Sequence, residues 1–129
     1  MNYLYYLANA SLTLRIIEYL YGNPSIPLDF VTVIHHIDGW IVRIKLKTPL
    51  MPQRDGDVRA FLNEMGIPYQ PSPRIEMALL KLQSGQSPLK VMRQFQIAIV
   101  SHGYPEHHEI EVFRQNFIEG LGYCPEHLA

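Results

Sequence analysis

The chain has 129 residues, of which 47% are hydrophobic and 18% are charged, and its formal net charge is −1. A domain of this length buries roughly two thirds of its unfolded surface, so it needs no disulfide or metal to fold. The single cysteine, Cys124, excludes an internal disulfide, and the near-neutral charge argues against nucleic acid binding by charge alone. We expect one cytoplasmic domain over residues 1–129, with neither a signal peptide nor a membrane span.

The N-terminal segment, residues 2–21, fits two secondary structures. Its short runs YLYYL and LTLRII are typical of strands, but apolar side chains also recur at helical spacing. Ser11 can cap a helix that Gly22 and Pro24 would end. We predict a helix over residues 12–21.

Residues 31–47, VTVIHHIDGWIVRIKLK, predict a β-hairpin, since Asp38-Gly39 suits a type I′ turn and both flanks are β-branched. Such a turn would place His35 opposite Val42 on a face that is buried in the core. We expect His35 to be a buried neutral residue, and we expect His36 and Arg43 to lie on the opposite, half-solvated face. Because adjacent residues of a strand point to opposite sides, the two histidines cannot chelate one ion together.

The sequence after the hairpin predicts four further helices. Their starts are at Asp55 or Gly56, at Ser72-Pro73, at Ser87-Pro88 and at Pro105. The third of these is predicted to continue to Ser101. The predicted fold is α+β, with a small antiparallel sheet formed by the hairpin at residues 31–47 and a third strand at residues 67–70. About five helices would pack on one face of it, and the C-terminal half would be all helical.

The C-terminal quarter contains the ligand types that zinc prefers. The candidate ligands are His107, Glu111, Cys124 and His127, the last two in the order C-P-E-H. Cys124 and His127 are within six residues of the end of the sequence, and no second closely spaced ligand pair accompanies them. We therefore expect no metal and no other cofactor, and we keep a zinc-binding protein as an alternative hypothesis.

Catalytic motifs are absent from the sequence. It contains no G-x-S-x-G elbow, no P-loop and no dinucleotide-binding glycine pattern. Asp55 and Asp57 flank a glycine at a helix start, which helix capping alone explains. We therefore expect that the protein is not an enzyme.

A second alternative is nucleic acid binding by a helix-turn-helix. Predicted helices at residues 74–83 and 88–101 are joined by a short turn that contains Gly85. The second helix would present side chains suited to base edges, namely Lys90, Arg93, Gln94 and Gln96.

Tyrosines near the N-terminus are the remaining feature of the sequence that indicates a function. Tyrosine tolerates partial exposure, and a tyrosine-rich segment with few charges is typical of a protein contact surface. The candidate contact residues are Tyr3, Tyr5, Tyr6, Tyr19 and Tyr21. The sequence therefore favours a non-enzymatic protein interaction module, an adaptor or regulatory subunit, that forms a homodimer through residues 3–21.

Overall fold

Nine helices and strands follow one another in the computed structural model, which describes residues 2–36 and 39–103. They are β1 (Asn2–Leu7), α1 (Ala10–Tyr21), β2 (Leu28–His36), β3 (Gly39–Leu46), α2 (Pro52–Met65), β4 (Ile67–Pro68), α3 (Pro73–Gln83), α4 (Pro88–Phe95) and β5 (Ala98–Gly103). The chain is α+β, with four helices and a five-stranded sheet within the described residues, and this sheet is larger than predicted.

The sheet has five strands in the order β4-β1-β3-β2-β5, and every neighbouring pair is antiparallel. The first strand, β1, alternates buried Tyr3, Tyr5 and Leu7 with half-buried Leu4 and Tyr6. This period of two is a strand pattern that the helical reading of the same segment obscured. The prediction of a small hairpin sheet is therefore wrong, although its third strand at residues 67–70 corresponds to β4.

The hairpin of β2 and β3 is present, but its predicted register is wrong by two residues. His35 lies opposite Trp40 rather than Val42, and His36 lies opposite Gly39. Gly39 is needed within the strand, because a Cβ there would overlap the Tyr6 ring and approach the Leu7 carbonyl oxygen. A shift of two residues keeps every side chain on its predicted face.

His35 is half-buried in this register, against the edge of the Trp40 ring at 4.9 Å between centroids. Burial lowers its pKa, and the neighbouring His36 lowers it further. A lowered pKa keeps the imidazole neutral at neutral pH, as expected for a histidine in apolar surroundings.

Helices cover both faces of the sheet, which corrects the prediction of a one-sided arrangement. On one face α1 and α2 bury the main core, with Ile16 and Leu62 fully enclosed. On the other face α3 packs Ile75 and Leu79 against Ile34 and Ile41, and all four side chains are buried. A central strand covered on both sides reads as a near-continuous apolar run, which explains the composition of β2 and β3.

The C-terminal half is not all helical. The helix predicted to reach Ser101 ends at Phe95, where Gln96 adopts a left-handed conformation with φ 55°. The chain then returns as β5, whose Ile99 lies opposite Ile34 of β2. Sheet pairing decides this segment, because its short apolar run at residues 97–100 fits either structure. The helix predicted from Pro105 lies outside the described residues.

Helix starts follow local capping. Ser72 and Ser87 accept hydrogen bonds from the backbone N–H groups of Ile75 and Lys90, which confirms both predicted caps. The first helix is capped by Asn9 instead of Ser11. The second begins at Pro52, three residues before Asp55, the earlier of its two predicted starts, because proline suits the first turn of a helix.

Candidate functional site

A pocket of about 350 Å³ opens between the start of β1, the middle of β3 and α3. We call it the Arg43 pocket. Its lining residues come from three separate parts of the chain: Asn2, Leu4, Arg43, Gln70, Pro71, Glu76, Leu79 and Leu80. A volume of this size is at the lower end of the range for small-molecule sites.

Arg43 is the buried charge of this pocket, with a relative exposure of 9%. Its guanidinium donates to the carbonyl oxygen of Leu79 at 3.3 Å and to Oε1 of Gln83. The Phe30 ring lies beside it, 5.7 Å from ring centroid to guanidinium carbon. These contacts use two of the five N–H donors of an arginine.

No carboxylate among residues 2–36 and 39–103 forms an ion pair with Arg43, whereas Arg59 pairs with Asp55 at 3.0 Å. Burial lowers the pKa of Arg43, but an arginine side chain remains charged at neutral pH. A buried charge with neutral partners is costly to a protein, and such groups concentrate at functional sites.

His102 lies on the side of Phe30 and extends this polar cluster. Its ring is 5.1 Å from the Phe30 ring, and its Nδ1 shares a 2.7 Å hydrogen bond with the buried Thr32 hydroxyl. Burial lowers the pKa of His102, and the charge of Arg43 lowers it further. His102 is therefore neutral at neutral pH, and Arg43 supplies the positive charge of the cluster.

The rim of the pocket is partly apolar. Leu80 lines it and is 52% exposed, and Met77, one turn earlier on α3, is 46% exposed. Interface centres in proteins are enriched in methionine, arginine and apolar side chains. The pocket and the outer side of α3 thus combine a buried cation with exposed apolar groups, an arrangement suited to binding.

Two of the five predicted contact tyrosines lie in the core. Tyr3 and Tyr5 are 2% and 3% exposed, so they offer almost no surface to a partner. Tyr6 is half-buried and stacks on Tyr69, while Tyr19 stacks on Phe61 at 3.9 Å between ring centroids. Tyr21 is 42% exposed. A contact through these residues stays a prediction, and their burial leaves Tyr21 as the most accessible of them.

The hydroxyl groups of Tyr3 and Tyr5 form hydrogen bonds with polar side chains of α2. The Tyr3 hydroxyl donates to Oδ1 of Asp55 at 2.5 Å, and the Tyr5 hydroxyl donates to Oδ1 of Asn63 at 2.7 Å. Burial raises the pKa of both hydroxyls. The two hydrogen bonds hold α2 against the sheet, so the role of both hydroxyl groups is structural.

The hydrogen bond between Tyr3 and Asp55 predicts that the stability of the protein depends on pH. The hydrogen bond from Tyr3, with help from Arg59, holds the pKa of Asp55 below its ordinary value. A carboxylate with a lowered folded-state pKa contributes stability above its unfolded pKa of about 3.9 and loses it as pH falls through the folded value. We expect a Tyr3→Phe variant to lose less stability on acidification than the unmodified protein, as measured by urea unfolding between pH 6 and pH 2.

Tyr5→Phe is the matched control, because it removes a hydrogen bond to an amide that does not titrate. This variant should be less stable than the unmodified protein but should keep its pH dependence. Identical pH profiles for Tyr3→Phe and Tyr5→Phe would contradict the assignment to Asp55.

The helix-turn-helix candidates do not all share one helix. Lys90, Arg93 and Gln94 are exposed on α4, which has 8 residues. Gln96 is exposed beyond its end, in the left-handed conformation. α4 packs on α3 through Val91, so its outer side is accessible. Nucleic acid binding stays an untested alternative.

The four candidate zinc ligands, His107, Glu111, Cys124 and His127, lie outside the described residues. Within residues 2–36 and 39–103 no group of three or more histidine, cysteine or carboxylate side chains is arranged to hold a metal ion. The zinc alternative is therefore also untested.

Sequence reasoning missed Arg43, which it had placed on a half-solvated face. The signal was present in the strand itself, where WIVRI encloses one charge in an almost unbroken apolar run. Such a run indicates burial on both faces, and an arginine inside it is then an inward-facing charge.

No known protein family matches this sequence, and no curated protein does. The chain is similar to a solved structure, the crystal structure of the C-terminal domain of YpbH, with a TM-score of 0.52 and 15% sequence identity. The likeness covers 89% of this chain and 97% of that one. Identity at this level shows a shared fold alone. No helix within the described residues is long and apolar enough to cross a bilayer.

Proposed function

We propose that this protein is a non-enzymatic, cytoplasmic interaction module, an adaptor or regulatory subunit that binds a second copy of itself. The observation that carries the proposal is the exposed pair Met77 and Leu80, which lie three residues apart on the outer side of α3 beside the Arg43 pocket. Residues at this spacing share one helix face. The use of only one cysteine fits a reducing compartment.

Charge along α3 favours a second copy as the occupant of this surface. Glu76 lies in the first turn of the helix and Lys81 in the last. When the two-fold axis is perpendicular to α3, the two copies of the helix run antiparallel, and Glu76 of each protomer can approach Lys81 of the other. A symmetric dimer requires such a self-complementary patch.

The proposal moves the contact from the N-terminal tyrosines to α3, because Tyr3 and Tyr5 are enclosed by the chain's own helices. Burial of Met77 and Leu80 would drive association, and the exposed charges would set its orientation. Raising the salt concentration should therefore leave the dimer largely intact.

The test is the mass in solution of a double variant, Met77→Ser with Leu80→Ser. We expect the unmodified protein to be a dimer by light scattering and the double variant to shift toward monomer, because interface energy concentrates in a few apolar side chains. Both residues are exposed, so the substitutions should leave folding intact.

A double variant of Ile67→Ser with Leu89→Ser is the matched control. These side chains are 63% and 56% exposed but lie on β4 and α4. The control should keep the mass of the unmodified protein. A monomer at millimolar concentration, or equal dissociation of both double variants, would refute the α3 contact.

A further inference from the structure

We infer that the Arg43 pocket is a binding site for the carboxylate of a small ligand with an apolar body, such as the C-terminal residue of a peptide or a free N-acylated amino acid. The inference concerns the floor of the pocket and goes beyond the proposed dimer, which uses the outer side of α3.

The positive charge of Arg43 indicates that the ligand carries a negative charge. Arg43 is 9% exposed and lines the pocket, and its guanidinium meets neutral partners among the described residues, namely Leu79, Gln83 and Phe30. A carboxylate accepts two parallel hydrogen bonds from the guanidinium fork, and a buried pair of this kind is stronger than an exposed one. A bound anion would thus compensate a charge that the described side chains leave without a counter-ion.

The other residues that line the pocket indicate the size and the chemical class of the ligand. Leu4, Pro71, Leu79 and Leu80 supply an apolar wall, and a volume of about 350 Å³ suits a ligand of one or two residues. Glu76 places a negative charge on the same lining. That charge disfavours phosphate and other multiply charged anions, so a monocarboxylate fits best.

The amides of Asn2 and Gln70 lie at the wall of the same pocket. Each can both donate and accept hydrogen bonds, which suits the peptide group that precedes a C-terminal carboxylate. The pocket thus offers an apolar wall, a cation and amide groups, the combination by which proteins capture chain ends.

The experiment compares N-acetyl-leucine with N-acetyl-leucinamide, two probes that differ in the charge of one group. We expect N-acetyl-leucine to shift the Arg43 Nε–Hε resonance and the Leu79 amide resonance of the full chain, and to do so saturably. The uncharged amide should bind at least ten-fold more weakly. Inorganic phosphate should also bind more weakly, because Glu76 repels it.

Three variants locate the site. Arg43→Met should lose binding of N-acetyl-leucine, while Arg93→Met, which removes an exposed arginine of α4, should bind as the unmodified protein does. Glu76→Gln should tighten binding a few-fold, because it removes a like charge from the lining. If Arg43→Met does not fold, the Arg43 resonance of the unmodified chain still reports the contact.

A further arm separates a free ligand from the chain's own carboxylates. It uses the full chain with glutamine at five positions: Glu106, Glu109, Glu111, Glu119 and Glu126. Equal binding to the unmodified chain and to this variant assigns the site to a free ligand. Binding to the variant alone assigns the carboxylate to the chain itself.

The inference is overturned if neither protein binds N-acetyl-leucine, if the amide binds equally well, or if Arg43→Met retains full affinity. Arg43→Met changes no residue of the proposed α3 contact, so ligand binding by this variant and the mass of the Met77 and Leu80 double variant can fail separately.

Discussion

Replacing Ile41 by alanine should lower the free energy of unfolding by about 2–5 kcal/mol, one of the largest effects expected from a single substitution in this chain. Ile41 is 0% exposed on β3, packed with Ile34 beneath Ile75 and Leu79 of α3. Truncation would remove apolar contacts and leave a cavity that neighbouring strands on either side cannot fill.

The matched control is Ile67→Ala, because Ile67 is 63% exposed on β4. This variant should change the free energy of unfolding by less than about 0.5 kcal/mol. Urea unfolding of both variants distinguishes two architectures. If helices covered one face of the sheet alone, Ile41 would be half solvated and the two variants would be similarly stable.

Gly66→Ala should lower the free energy of unfolding by about 1–3 kcal/mol through overpacking. Gly66 ends α2 in an extended conformation that any residue can adopt, so the effect is purely steric. A Cβ at this position would overlap the carbonyl oxygen of Tyr6, which is backbone and cannot rotate away. The expected structural result is a loss of the pairing between Tyr6 and Ile67.

Gly56→Ala, a substitution inside α2, should have the opposite effect on stability. Beyond its chain neighbours and the backbone of its own helix, no atom lies within 4 Å of a Cβ built at Gly56, and the site is exposed. Alanine there should raise the free energy of unfolding by about 0.5–1 kcal/mol, because glycine is the more costly residue inside a helix. Equal effects of the two substitutions on the urea midpoint would show that β1 does not approach Gly66 this closely.

The candidate site illustrates the limit of sequence reasoning. Arg43, Glu76 and Asn2 lie far apart in sequence and belong to β3, α3 and β1, so no local motif joins them. The predicted contact tyrosines show the same limit, because alternation along β1 buries Tyr3 and Tyr5 only when α2 covers that face. Both outcomes depend on which elements pack together, which single-sequence patterns do not specify.

Local sequence by itself determined the features that depend on residues within about one helical turn. Ser72 and Ser87 start α3 and α4, and the alternating residues of β2 and β3 keep their predicted faces. Tertiary structure alone decided the hairpin register, in which Gly39 must meet the backbone of β1. It also decided that residues 98–103 pair with β2 instead of extending a helix. Caps are satisfied by near neighbours, whereas strand pairing and two-sided burial are satisfied by residues distant in sequence.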